Sequence, residues 1–127
     1  MSHRSRLAGF IIDCQTGEIA DAARFWSAAL GLQHGETDDD EGALYVDLPG
    51  HGAHLAIMVQ KVEHPSRVHL DIETDDLDAE ADRLEKLGAK RIAFIKRWWV
   101  MEAPTGHRFC IVRMKHPELG PAPTVWD

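Results

Sequence analysis

The sequence predicts an α+β fold made from two copies of one supersecondary unit, and three observations carry that expectation. Phe10-Ile11-Ile12-Asp13-Cys14-Gln15-Thr16 and Val68-His69-Leu70-Asp71-Ile72-Glu73-Thr74 place Asp and Thr at matching offsets. Each segment runs on to a Leu-Gly pair, Leu30-Gly31 or Leu87-Gly88, and the Thr-to-Leu distance differs by one residue between the copies. Within each copy a helical period gives way to strict alternation, the signature of a helix followed by half-buried strands. A period of nearly half the chain marks a duplicated module. At 127 residues the chain reads as a single domain, with module 1 at about 7–61, module 2 at about 67–113 and a tail over 114–127.

Residues 7–14 read as a buried strand. Ile19, Ala22, Ala23, Trp26, Ala29 and Leu30 recur at helical spacing over 19–30, and Gly31 supplies a left-handed stop. Asp38-Asp39-Asp40-Glu41 reads as a solvated loop, because adjacent acids cannot converge on one ion without a turn-forming glycine pattern. Leu44, Val46 and Leu48 alternate with polar residues. After the Pro49-Gly50-His51-Gly52 turn, Leu55, Ile57 and Val59 alternate with His54, Ala56 and Met58, a second strand of the same kind. In the second copy Val68, Leu70 and Ile72 alternate, and Asp75 or Asp76 can cap a helix from about 77 to 87. Strands follow near 90–95, 97–102 and 107–113, with Lys96-Arg97 and Pro104-Thr105-Gly106 as turns. Pro117, Pro121 and Pro123 predict an extended or partly disordered tail, in which Val125 and Trp126 could dock on a neighbour.

A hydrophobic content of 44% with 28% charged residues fits an ordinary globular protein. The formal charge of −7 argues against nucleic-acid and anionic-membrane partners, both of which need a basic footprint. Phe10-Ile11-Ile12 is too short for the apolar core of a signal peptide, and no run approaches a membrane span. Cys14 and Cys110 form neither a disulfide framework nor a metal knuckle, so a reducing, cytoplasmic compartment is expected.

Antiparallel strands covered by a helix on one face leave the other face free. The parity opposite the helix collects Asp13, Tyr45, Asp47, His54, Met58, His69, Asp71, Met101 and Cys110, a set too polar for a core and too aromatic for plain surface. Neighbouring strand residues face opposite sides, so Trp98 and Trp99 should divide between the helix side and the cavity. Trp99 shares the parity of Met101, which assigns it to the cavity; the alternative is that both tryptophans fill a core or a dimer interface. His69 suits acid–base work near neutrality or a structural hydrogen bond, and Cys110 reads as a packed thiol or a nucleophile.

Ala22-Ala23-Arg24-Phe25-Trp26 with Leu30-Gly31, then His69 through Leu77, then Leu87-Gly88-Ala89, then Trp99 through Cys110 resemble the vicinal oxygen chelate superfamily. That superfamily includes glyoxalase I, bleomycin-resistance proteins and extradiol dioxygenases; the chain looks most like its small bacterial glyoxalase-like domain proteins. The resemblance implies two βαβββ modules forming a curled mixed sheet around a central cavity (the glyoxalase/bleomycin resistance/dihydroxybiphenyl dioxygenase fold) and often a homodimer. In the metal-dependent members, the first and last strands of each module supply four ligands. Those positions fall on Ile11, Ala56 (Met58 after a two-residue slip), His69 and Cys110. Two donors of four imply no metal and no cofactor, and His54 or Asp71 could add a donor only through a rearrangement. The expected function is binding of a small aromatic or hydrophobic molecule in a metal-free cavity lined by Tyr45, His54, Met58, His69, Asp71, Trp99, Met101 and Cys110. The alternative is a lyase, isomerase or dioxygenase with a non-standard or absent metal site. A third reading leaves the cavity vestigial and the role one of interaction alone.

Overall fold

A computed structural model of the chain describes residues 2–49 and 55–127. The elements run β1 (His3–Cys14), α1 (Ile19–Leu30), β2 (Thr37–Asp40), β3 (Ala43–Asp47), β4 (Ala56–Lys61), β5 (Arg67–Thr74), α2 (Leu77–Lys86), β6 (Lys90–Ile95), β7 (Trp98–Glu102), β8 (Arg108–Arg113) and β9 (Thr124–Trp126). The chain divides into two compact units. One is Gly9–Val68; the other joins Met1–Ala8 to His69–Asp127.

In the unit Gly9–Val68, the second half of β1 runs parallel to β4, with Gly9 opposite Ala56 and Cys14 opposite Lys61. β3 lies antiparallel on the other side of β4, and β2 pairs with β3 at the edge. Gly9 is required by this approach: a Cβ there would stand 1.9 Å from the Ala56 carbonyl oxygen. The apolar stripe of α1 buries Ile19 and Ala23 against Cys14, Val46, Leu48 and Val59, with Trp26 packed on the same cluster. Gly31, at φ 69°, ends the helix as its sequence position predicts.

The acidic run departs from expectation. Thr37–Asp40 form β2 rather than a loop, and Glu41 and Gly42 turn the chain with φ of 52° and 93°. Two successive positive φ values match the twist of a tight hairpin, and the register they impose outweighs the poor strand propensity of aspartate. The side chains of Thr37, Asp38 and Asp39 are exposed, so the pairing buries few of the charges.

The second unit repeats the plan. β5 runs parallel to β8, from Leu70 opposite Phe109 to Thr74 opposite Arg113. β7 pairs antiparallel with β8, and β6 with β7. The Asp76 side chain accepts from the Ala79 amide and caps α2, which packs Ala81 and Leu84 on Met101 and Ile111. The first half of β1 belongs to this unit. His3–Ser5 pair with β9, Arg4 binds Asp75, and the Arg6 guanidinium meets Glu73 at 2.7 Å while donating to carbonyls of His116, Leu119 and Pro121. The tail thus ends in a strand held to β1 rather than in an unpaired extension. Among the described residues no helix is long and apolar enough to cross a membrane.

Candidate functional site

β5 and β8 position the chemically active groups of the second unit. Asp71 is the Cα partner of Cys110 across the parallel pair, and His69 precedes Asp71 by two residues, on the same face of β5. One donor atom from each of His69, Asp71 and Cys110 lies within 4.8 Å of the others. His69 Nε2 stands 3.3 Å from Asp71 Oδ1, and the two side chains are 12% and 19% exposed. That Oδ1 is buried, yet it accepts no hydrogen bond among the described residues. Buried carboxylate oxygens ordinarily accept a hydrogen bond, and here the nearest donor group is the His69 imidazole.

The face that these three share is not the one assigned to Trp99 and Met101. The turn after β7 closes with the Ala103 amide donating to the His107 carbonyl and the Gly106 amide to Ala103. This sets Glu102 opposite Arg108 and Val100 opposite Cys110, leaving Trp99 and Met101 opposite Ile111 and Phe109. Met101 is fully buried in the cluster under α2. The Trp99 indole donates to Asp78 Oδ1 of α2 at 3.2 Å, with the Arg91 guanidinium 4.8 Å from its ring and Phe94 edge-on at 5.1 Å. Register therefore puts Trp98 and Val100, not Trp99 and Met101, on the face of Cys110. Cross-strand charge pairing held the missing signal: Glu102 and Arg108 flank the turn symmetrically and meet at 3.2 Å.

In the unit Gly9–Val68, Tyr45 and Met58 lie on the sheet face away from α1. Tyr45 is opposite Gln60, whose amide donates to its hydroxyl at 3.2 Å, and Met58 is opposite both Ile11 and Asp47. His54 lies outside the described residues. Cys14 sits in the core, where burial pushes its thiol up from the ordinary 9.0, the direction of an inert thiol.

The four-ligand cage implied by the resemblance does not fit this chain. Ile11 and Ala56 carry no donor atoms, and Met58 offers only a thioether. Asp71 places a third donor-bearing side chain near His69 and Cys110 in the second module, with the three donor atoms within 4.8 Å of one another. Nitrogen, oxygen and sulfur donors at this spacing can receive a cation or the polar end of a ligand. An imidazole beside a carboxylate can also pass a proton.

The family model for a glyoxalase-like domain matches residues 9–112. Among solved structures, a methylmalonyl-CoA epimerase in complex with methylmalonyl-CoA and NH4+ is similar at TM-score 0.64 and 16% identity, over 87% of this chain and 94% of that one. A Streptomyces coelicolor methylmalonyl-CoA epimerase variant bound to 2-nitronate-propionyl-CoA matches at TM-score 0.66 and 16% identity, over 87% and 97%. A hypothetical protein from Bacillus halodurans C-125 matches at 0.64 and 14%, over 87% and 95%. No curated protein matches the chain. At these identities the likeness to solved structures shows the fold alone and nothing about chemistry.

Proposed function

The chain belongs to the glyoxalase-like domain family, and from that premise we propose that it binds a small, partly aromatic or hydrophobic molecule on the sheet face of the second module opposite α2. His69, Asp71 and Cys110 supply the polar end of the site, and Trp98 and Val100 on β7 supply an apolar wall. The observation that carries the reading is the buried Asp71 Oδ1, which accepts no hydrogen bond among the described residues and has the His69 imidazole 3.3 Å away. An unmet buried acceptor costs on the order of 1–3 kcal/mol, and a ligand that supplies the missing partner recovers that cost.

Tryptophan emission tests the reading. A panel of planar compounds should quench it saturably, Trp98→Phe should remove the effect, and Trp99→Phe should leave it. Absence of quenching by every compound, or its loss only in Trp99→Phe, counts against the site. A second reading, an isomerase or lyase that moves a proton through His69, draws support from the 3.3 Å contact between His69 and Asp71. The epimerases of similar fold are in complex with methylmalonyl-CoA and 2-nitronate-propionyl-CoA, which makes an acyl-CoA thioester the first substrate class to try. Solvent deuterium should enter its acidic C–H position with the native protein and not with His69→Gln.

A further inference from the structure

We propose that residues 116–121 form a strap over the site face of the second module, clasped by Arg6, which limits the length of the bound molecule. The inference rests on the ligand reading above and gives that site one closed end.

The faces of two strands place the clasp. His69, Asp71 and Glu73 alternate onto one side of β5. On β1, His3 bonds Glu80 of α2 at 2.8 Å and Ser5 reaches the same carboxylate, so Arg6 turns to the side away from α2. There its Nε donates to Glu73 Oε1 at 2.7 Å. Asp71 and Glu73 are two strand residues apart, roughly 7 Å, so the clasp stands one side chain beyond the polar end of the site.

The remaining donors of Arg6 hold the tail. Nη1 donates to the carbonyls of Leu119 and Pro121, and Nη2 to that of His116. Three carbonyls within six residues can converge on one planar guanidinium only if the chain bends around it. Two turns make the bend: the Leu119 amide returns to the His116 carbonyl at 3.1 Å, and Gly120 takes a left-handed φ of 70°. Both ends of the segment are tied down as well. The Met114 amide donates to the Thr74 carbonyl at the end of β5, and Thr124–Trp126 pair with His3–Ser5. Arg6 and Glu73 keep only 8% and 14% of their side-chain surface exposed, as a strap laid over them requires.

A ligand with its polar end at His69, Asp71 and Cys110 that extends along β5 therefore meets a backbone wall at Glu73. Backbone fastened at both ends and in its middle cannot rotate aside as a side chain can. Such a wall discriminates by length.

The test measures affinities of a 4-alkylphenol series, from phenol to 4-hexylphenol, by quenching of tryptophan emission. Each methylene that finds apolar cover adds about fourfold in affinity. In the native protein the gain should stop within the series and reverse as the chain meets the strap. Arg6→Lys keeps a charge for Glu73 but loses the fork that gathers three carbonyls. Gly120→Val opposes the left-handed turn and leaves Arg6 in place. Both should raise the ratio of 4-hexylphenol to phenol affinity about tenfold or more, by relief of overpacking. Both should also speed hydrogen exchange of the Leu119 amide. The ratio isolates the wall, because a merely weakened fold lowers every member of the series together. Binding without a break in the native series, or a break that persists in both variants, overturns the strap and leaves the ligand reading standing. Unchanged exchange at Leu119 in both variants also overturns it. No quenching by any member, in the native protein or either variant, overturns the ligand reading and the length limit with it. Quenching found only in the two variants supports the strap, as a closure of the whole site.

Discussion

Glu80 is fully buried on α2, and burial alone would favour its neutral form. Donors reverse that preference: Arg83 reaches both carboxylate oxygens at 2.8 and 2.7 Å, His3 Nε2 lies 2.8 Å away, and Ser5 donates as well. The carboxyl is therefore held below its ordinary 4.5. A depressed folded-state value has a defined linkage. Glu80 contributes its full stability above the unfolded carboxylate range and loses it as pH falls through the lowered folded value. Replacing it with Gln strands the guanidinium of a partly covered Arg83, at a cost of about 2–3 kcal/mol near neutrality. Urea denaturation of native protein and Glu80→Gln across pH should show that gap at pH 7 and its narrowing below about pH 4. A gap independent of pH would mean the carboxylate charge is not what stabilises the cluster.

Gly9 and the β7–β8 hairpin show what an element demands of single residues. At Gly9 the obstacle to a side chain is the Ala56 carbonyl of the paired strand, 1.9 Å from an added Cβ. Backbone cannot rotate aside as a side chain can, so Gly9→Ala should cost about 3 kcal/mol, read as a lower urea midpoint with an unchanged slope. The helices were legible because their signals are local: apolar spacing, an Asp76 cap and left-handed glycines set their bounds within a residue or two. Strand register was not, because it depends on how two segments meet. Alternation within β7 identified two faces correctly but could not say which one Cys110 joins, and a one-residue shift exchanged Trp98 for Trp99. The pairing of β2 with β3 and of β9 with β1 was hidden for the same reason. His69 and Asp71 were recognisable as one face from parity within β5, whereas Cys110 on β8 was placed by the family resemblance. The mutual distance of the three was not legible.

Duplication was visible in the sequence at the scale of the whole molecule, but the use of β1 was not. Its first residues, through Ala8, belong to one unit and its later residues, from Gly9, to the other. The first half is held through His3, Arg4, Ser5 and Arg6, and the second through six register pairs with β4. Losing the unit that contains β5 to β9 would release half of a continuous strand and fray the pairing that the other half makes. Unfolding should accordingly be a single cooperative transition. Its calorimetric and van 't Hoff enthalpies should agree, near about 90 kcal/mol for a chain of this size around 60 °C. Gly9→Ala and Glu80→Gln perturb different units, so they offer a sharper test than the native protein alone. Each should lower the temperature of the whole transition, and the double variant should lower it further while keeping one peak. Two resolved endotherms in either single variant, with only one of them displaced, would show that the units melt independently despite the strand they share.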